Sequence, residues 1–167
     1  MIKIGVIADT HIPRRGKQIP EILLRKLSGV NMIIHAGDIC RDYVIYELEE
    51  IAPVIAVLGN NDDEYLESTL PLKRITEVEE CRIGILHGHG YGGTAAENSR
   101  KAFIGKEIDC VVFGHSHIPM NKSLGGVLYF NPGSAMDKRK QEKCSFGILQ
   151  VDGKSIIGEI IAFDNTK

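Results

Sequence analysis

The sequence has no CxxC pair, no apolar run long enough to cross a membrane, no low-complexity stretch and almost no net charge. Each absence removes a class of protein. Without a run of about 20 apolar residues there is no candidate transmembrane helix. Cys40, Cys81, Cys110 and Cys144 are too scattered for a paired zinc or redox motif. Cys110 and Cys144 border apolar runs and read as small core residues, so a reduced chain is expected rather than a disulfide scaffold. The 20 basic and 22 acidic residues leave a formal charge of -2, which does not suit bulk electrostatic binding to nucleic acid. A local basic patch stays open. The segment from Met1 to Ala8 is too short and too β-branched for a signal peptide, and a cytoplasmic protein is expected.

What is present is an ordinary globular balance, with 43% hydrophobic and 25% charged residues over 167 positions. That length supports one domain, 1–167, with a core of its own. Ile2 to Ala8 reads as a buried strand, and Gln18 to Leu27 has helical spacing that stops at Ser28-Gly29. Asn31 to His35 is a second strand, Tyr43 to Ile51 a second helix, and Val54 to Leu58 a third strand. This alternation predicts a right-handed parallel start to the fold. Further on, Arg74 to Val78 and Arg82 to Leu86 read as strands joined at Glu79-Glu80. Thr94 to Ile104 reads as a helix, and Cys110 to Phe113 and Val127 to Phe130 as strands. Ser145 to Val151 and Ser155 to Ala162 read as a hairpin around Asp152-Gly153. Two sheets packed face to face, with helices outside, are expected.

The polar residues fall at telling places. Strand Ile2–Ala8 ends in Asp9-Thr10-His11, Asn31–His35 in Gly37-Asp38, and Val54–Leu58 in Gly59-Asn60. Strand Arg82–Leu86 ends in His87-Gly88, and Cys110–Phe113 in Gly114-His115-Ser116-His117. Five strands thus deliver a metal-capable side chain just past their carboxyl ends, the edge of an α/β sheet where ligands bind. Asp, His and Asn are oxygen and nitrogen ligands suited to Mn, Fe, Ni or Zn, with no thiolate among them. Asp9 and His11, like His115 and His117, stand two apart and share one face of an extended segment. A carboxylate can use both oxygens, so Asp38 is a natural bridge between two ions.

Taken in order, Asp9-x-His11, Gly37-Asp38, Gly59-Asn60-x-Asp62, His87-Gly88-His89, Gly114-His115-x-His117 and Asn131-Pro132-Gly133-Ser134 resemble the calcineurin-like metallophosphoesterases. The short chain and the closing Asn-Pro-Gly-Ser are most similar to their small bacterial and archaeal branch, phosphodiesterases of the YfcE type. The likeness runs from Ile2 to about Val151. It implies a four-layer α/β/β/α sandwich and a binuclear-metal-dependent phosphodiesterase of broad specificity, with a metal-bridging hydroxide as nucleophile. It also implies that one ion takes Asp9, His11 and His117, the other Asn60, His87 and His115, and that Asp38 bridges them. Both cofactors would be divalent ions (Mn, Ni, Fe, Zn or Mg), with manganese or nickel expected first.

Asp38, Asn60 and His89 are the residues expected to act in the reaction itself. Many family members carry a histidine directly after Gly-Asn, where it protonates the leaving group. Here that position is Asn61, which cannot serve as an acid at neutral pH. Diesters with good leaving groups are therefore the expected substrates unless His89 supplies the proton, and Asn61→His is expected to help poorer leaving groups. Asp62 is expected to orient a ligand histidine.

Other polar residues have plainer readings. His35 lies inside an apolar run and reads as a hydrogen-bonded core histidine. Arg14 and Arg15, and the run Lys138-Arg139-Lys140, read as solvated surface that could also meet a phosphate or nucleotide. Asn131 to Ser134 reads as pocket wall with backbone amides near the metals. A small phosphodiester or nucleotide-like substrate is expected, with no membrane or nucleic-acid partner. A homo-oligomer is left open. So are a phosphomonoesterase and a catalytically weak scaffold or regulatory protein of the same fold.

Overall fold

The structure is a computed structural model describing residues 1–90 and 92–165, so Tyr91 and the last two residues of the expected 1–167 span lie outside the described residues. In chain order the elements are β1 (Ile2–Ile7), α1 (Glu21–Leu27), β2 (Met32–His35), α2 (Tyr43–Glu49), β3 (Val54–Ala56), α3 (Glu64–Thr69) and β4 (Lys73–Val78). There follow β5 (Cys81–Leu86), α4 (Ala95–Ala102), β6 (Cys110–Val112), β7 (Met120–Leu124), β8 (Val127–Asn131), β9 (Cys144–Asp152) and β10 (Ser155–Phe163).

The strands form two five-stranded sheets, ordered β10-β9-β1-β2-β3 and β4-β5-β6-β8-β7. β1, β2 and β3 are parallel, as the alternation predicts, while β9 and β10 add an antiparallel hairpin on the other side of β1. In the second sheet β5, β6 and β8 are parallel, flanked by antiparallel β4 and β7. Register decides where the strand ends meet. Ile7 lies beside His35 and His35 beside Ala56, so the carboxyl ends of β1, β2 and β3 come out level. Ile85 beside Val112 does the same for β5 and β6.

Alternation along the strands separates three apolar clusters. Ile4, Val6 and Ala8 point between the sheets, where they meet Ile83, Ile85, Val112, Phe130 and Leu149. Ile7 and Ile33 point the other way, onto Leu23 and Leu27 of α1 and Val44 and Leu48 of α2. On the far side, Val111 and Phe113 pack with Ala95 of α4 and with Phe103 just after it. Helices, sheet, sheet, helix are the four layers. Each fully buried Ile, Leu or Phe is worth about 1.5–3 kcal/mol relative to exposure, so this sandwich is what holds the strand ends in place.

Differences from the sequence reading have local causes. α1 begins at Glu21 rather than Gln18, because Pro20 ends the preceding loop and its carbonyl accepts from Leu23 and Leu24 N–H. α3 was not anticipated; Asp63 caps it, accepting from Leu66 N at 3.0 Å. The strand β7, Met-Asn-Lys-Ser-Leu, was also missed, since a polar edge strand leaves little apolar pattern to read. Among the described residues no helix is long and apolar enough to cross a membrane. All four cysteines are buried and free.

Candidate metal centre

The strand ends turn sharply into the site. Asp9, His11, Asp38, His115 and His117 have φ of 53°, 47°, 57°, 69° and 60°, the left-handed region that ordinary residues avoid. Each costs roughly 1 kcal/mol or more. The bends are held by bonds crossing from one strand end to the next: Asp9 N to Gly37 O (3.1 Å), His11 N to Asp38 O (3.0 Å) and Gly114 N to His87 O (3.0 Å). Two glycines allow the ends to close up. A side chain on Gly37 would meet the His87 ring at 2.7 Å, and one on Gly59 would overlap the amide and carboxylate of Asp38.

Asp9 is fully buried. Its Oδ2 accepts from His115 N at 3.0 Å, whereas its Oδ1 has no hydrogen-bond partner. Around that orphaned oxygen stand His117 Nε2 at 3.3 Å, His11 Nε2 at 3.6 Å and His87 Nε2 at 3.7 Å. Asp38 Oδ2 lies 3.2 Å from His87 Nε2 and 3.4 Å from His11 Nε2. The rings also crowd each other: His11 and His117 bring their Nε2 atoms within 3.3 Å, and His115 Nδ1 lies 3.3 Å from His87 Nε2. Two buried triads result, Asp9–His11–His117 and Asp9–Asp38–His87, each with its ligand atoms within 4.8 Å of one another. An unpartnered buried carboxylate oxygen ringed by imidazole nitrogens suits a cation, and this donor set suits first-row divalent ions.

The outer partners fix the tautomers. His87 donates from Nδ1 to Ala36 O at 2.7 Å, and His117 donates from Nδ1 to Asp137 O at 2.6 Å, which turns each Nε2 toward the carboxylates. His11 Nδ1 has the Cys40 thiol at 4.0 Å. Asn61 donates to Asp38 twice, from its backbone to Oδ1 (2.9 Å) and from its side chain to Oδ2 (2.8 Å).

Charge follows this geometry. Burial alone would raise the Asp9 carboxyl, but the close approach of the His11, His117 and His87 imidazoles holds it down at about 2. Burial likewise works against ionised Asp38, and the His87 and Asn61 contacts overcome it, keeping that carboxyl well below its usual range. Burial, the largest single effect, would lower His87, but the Asp38 contact and the charges of Asp9 and Asp38 together push it up. His115 and His89 are both lowered, first by burial and then by the charge of His87. Both aspartates are therefore ionised at neutral pH.

Of the seven ligands expected from sequence, six lie in this cluster. Asn60 differs: it occupies the turn after β3 and is exposed. His89 is half-buried beside the cluster, its ring centroid 5.4 Å from that of His87, and its buried Nδ1 has no partner. His35 is buried as expected, with Nε2 3.1 Å from the Thr10 hydroxyl.

Two expectations need correction and one is extended. Asp62 orients no histidine; it accepts backbone N–H bonds from Cys40 (2.7 Å) and Gly59 (2.6 Å), tying together the loops after β2 and β3. Asn61 has a role beyond the acid it lacks, since it is the hydrogen-bond partner of Asp38. In the Asn131–Ser134 loop the Gly133 amide turns inward to Asn131 Oδ1, and the loop acts through the Ser134 hydroxyl, which donates to Asp9 O at 2.7 Å.

Two positioning residues were missed, Ser134 and Asp137. Ser134 Oγ accepts from Asp137 N at 2.8 Å, and the Asp137 carbonyl then holds His117. Arg15 reaches the Asp137 carboxylate at 3.2 Å and Arg139 at 3.9 Å. The Ser-x-x-Asp spacing, a hydroxyl that can bond an amide three residues on, was the available signal.

Comparison with known proteins agrees with this arrangement. The profile of the calcineurin-like phosphoesterase superfamily domain matches residues 2–154. A probable metallophosphoesterase of Methanothermobacter thermautotrophicus is 38% identical over 160 residues, covering 95% of this chain and 91% of that protein. Phosphodiesterase YfcE of Escherichia coli K12 is 33% identical, covering 94% of this chain and 92% of its own. The Vps29 crystal structure from Chaetomium thermophilum superposes with a TM-score of 0.81 at 20% identity, over 99% of this chain and all of that one, a likeness of fold.

Proposed function

The chain belongs to the calcineurin-like phosphoesterase superfamily, and from that premise we propose that it is a metal-dependent phosphodiesterase working at the Asp9–Asp38 cluster. The observation that carries the reading is Asp9 Oδ1, a buried carboxylate oxygen with no hydrogen-bond partner and three imidazole nitrogens within 3.7 Å. Asp9, His11 and His117 would hold one divalent ion. Asn60, His87 and His115 would hold the second, with Asp38 shared. For Asn60 this requires its exposed side chain to turn inward. When bound, the ions supply a nucleophilic water at neutral pH and a positive clamp for the phosphoryl oxygens.

The chain's own groups do the rest. Asn61 keeps both Asp38 oxygens in place, and Ser134 and Asp137 fix Asp9 and His117. His89, half-buried beside His87, would give a proton to the leaving oxygen. Its lowered pKa keeps most of it neutral at pH 7, so poor leaving groups are served weakly. The ions are manganese or nickel, the substrate is a small phosphodiester, and the protein works in the cytoplasm.

The test is hydrolysis of bis-p-nitrophenyl phosphate and p-nitrophenyl phosphate with chelator, manganese or nickel. Turnover that needs metal and favours the diester supports the reading. A folded protein inert with every metal supports the scaffold alternative instead.

A further inference from the structure

Two depressions open on different members of the cluster, and their chemistry is unlike. One, of about 410 Å³, is lined by Leu72, Lys73, Leu86, His87 and His89, and the Lys73 ammonium is already bonded to Ala102 O at 2.9 Å. Leu72 is 61% exposed there, a bare apolar side chain next to two imidazoles. The other, of about 300 Å³, runs from Ser116, His117 and Ile118 to Lys138, Arg139 and Lys140. Each is at or near the low end of the range for a whole small ligand and suits one arm of a molecule.

The cations of the second depression are not all accounted for by the protein. Arg139 leans on Asp137, 3.9 Å away, and Lys138 reaches the neutral carbonyl of Gln141 at 3.2 Å. Among the described residues neither Lys138 nor Lys140 pairs with a carboxylate. Ile118, 56% exposed, adds an apolar face to the same depression. The loop is also built rather than loose. Asp137 ties it to His117 through its carbonyl and to Arg15 and Arg139 through its carboxylate. An anionic group bound here would sit a fixed distance from the phosphorus held at the cluster.

We infer that the enzyme takes phosphodiesters with unlike arms, and that Lys138 and Lys140 bind a second phosphate carried on one arm, with an apolar ring against Ile118. The apolar depression beside His89 receives the other arm. A dinucleotide bearing a terminal 5′-phosphate has this chemistry. The inference rests on the phosphodiesterase reading of the Asp9–Asp38 cluster.

The experiment compares kcat/KM for the 5′-phosphorylated dinucleotide pApA with that for unphosphorylated ApA, in manganese, alongside bis-p-nitrophenyl phosphate. The wild type should prefer pApA at least tenfold, with the preference shrinking as salt rises. The double variant Lys138→Ala/Lys140→Ala should cut the pApA-to-ApA ratio at least fivefold, and Lys138→Arg/Lys140→Arg should restore it. A wild type that turns over all three compounds without preferring pApA overturns this inference and leaves the phosphodiesterase reading standing. So does an alanine variant with the wild-type ratio. Inactivity on all three with every metal overturns both.

Discussion

His35 offers a quantitative check on the architecture, because it is a titratable group that should stay neutral where an exposed histidine would not. It is fully buried, with Nε2 3.1 Å from Thr10 Oγ1, and the Thr10 hydroxyl donates on to Asp38 O at 3.4 Å. That chain puts the proton on Nε2 and leaves Nδ1 an unpaired acceptor. Burial pulls the imidazole from 6.5 down to about 3, against a smaller upward pull from Asp9. A folded-state value below the unfolded one means that stability is complete above 6.5 and drains away as pH falls toward 3. At pH 5.0 the unfolded chain holds a proton here that the fold does not, which costs about 2 kcal/mol. His35→Gln keeps a donor near Nε2 and removes the titration. Urea unfolding of wild type and variant, both in chelator, gives a stability gap at each pH in which all other groups cancel. From pH 7.5 to pH 5.0 that gap should shift by about 2 kcal/mol in the variant's favour, roughly 1 M in relative midpoint at an m-value of about 2 kcal/mol/M. A gap that stays constant refutes the buried neutral histidine.

Asp38→Asn should reduce kcat/KM by about a thousandfold or more and weaken both ions together, since Asp38 Oδ2 lies within 3.4 Å of His11 and His87; calorimetry that shows one ion bound normally contradicts a shared ligand. Gly59→Ala should destabilise the fold by about 1–3 kcal/mol, because the new methyl overlaps Asp38. Its thermal midpoint should drop with metal present, and an unchanged midpoint would mean that the loop has room to spare. The raised pKa of His87 in the metal-free protein stabilises that form below pH 6.5 and ceases to do so as pH climbs past the raised value. A divalent ion must displace this proton, so manganese affinity should rise with pH and binding should release protons. Calorimetry in two buffers of different ionisation enthalpy measures the release, and its absence would argue that His87 stays outside the coordination.

The rim of the site was legible because the physics there is local. An apolar run followed at once by Gly-Asp or Gly-His marks where a buried strand surfaces, and level registers then bring such ends together. Where a side chain spends its hydrogen bonds was not legible. Asp62 reads as a partner for a histidine, yet its oxygens go to two backbone amides from loops 22 and 3 residues away in sequence. Asn61 shows only a missing acid in the sequence, while its partner Asp38 is 23 residues distant. The Asp137 contact with His117 runs through a carbonyl, which every residue possesses, so side-chain identity carries no trace of it. β7 and α3 were lost for a simpler reason: both are short and polar on most positions.

Fold likeness does not by itself make an enzyme, and the superposition on Vps29 at 20% identity is a likeness of shape alone. The local energetics say more. Five of the seven proposed ligands sit in left-handed backbone, and a buried carboxylate oxygen has no hydrogen-bond partner. Strain of that kind persists only where the surroundings over-determine it. Here the surroundings are two sheets and the bonds joining their strand ends, a large framework for a handful of side chains. A surface kept for docking needs none of this, because a partner reads the outside of a fold and is indifferent to whether Asp9 Oδ1 is paired. A site that binds cations needs all of it, since the unpaired oxygen and crowded imidazoles that are costly by themselves are the attraction for an ion. The strain and the orphaned oxygen therefore weigh on the side of a metal centre, and they do so independently of the sequence relatives.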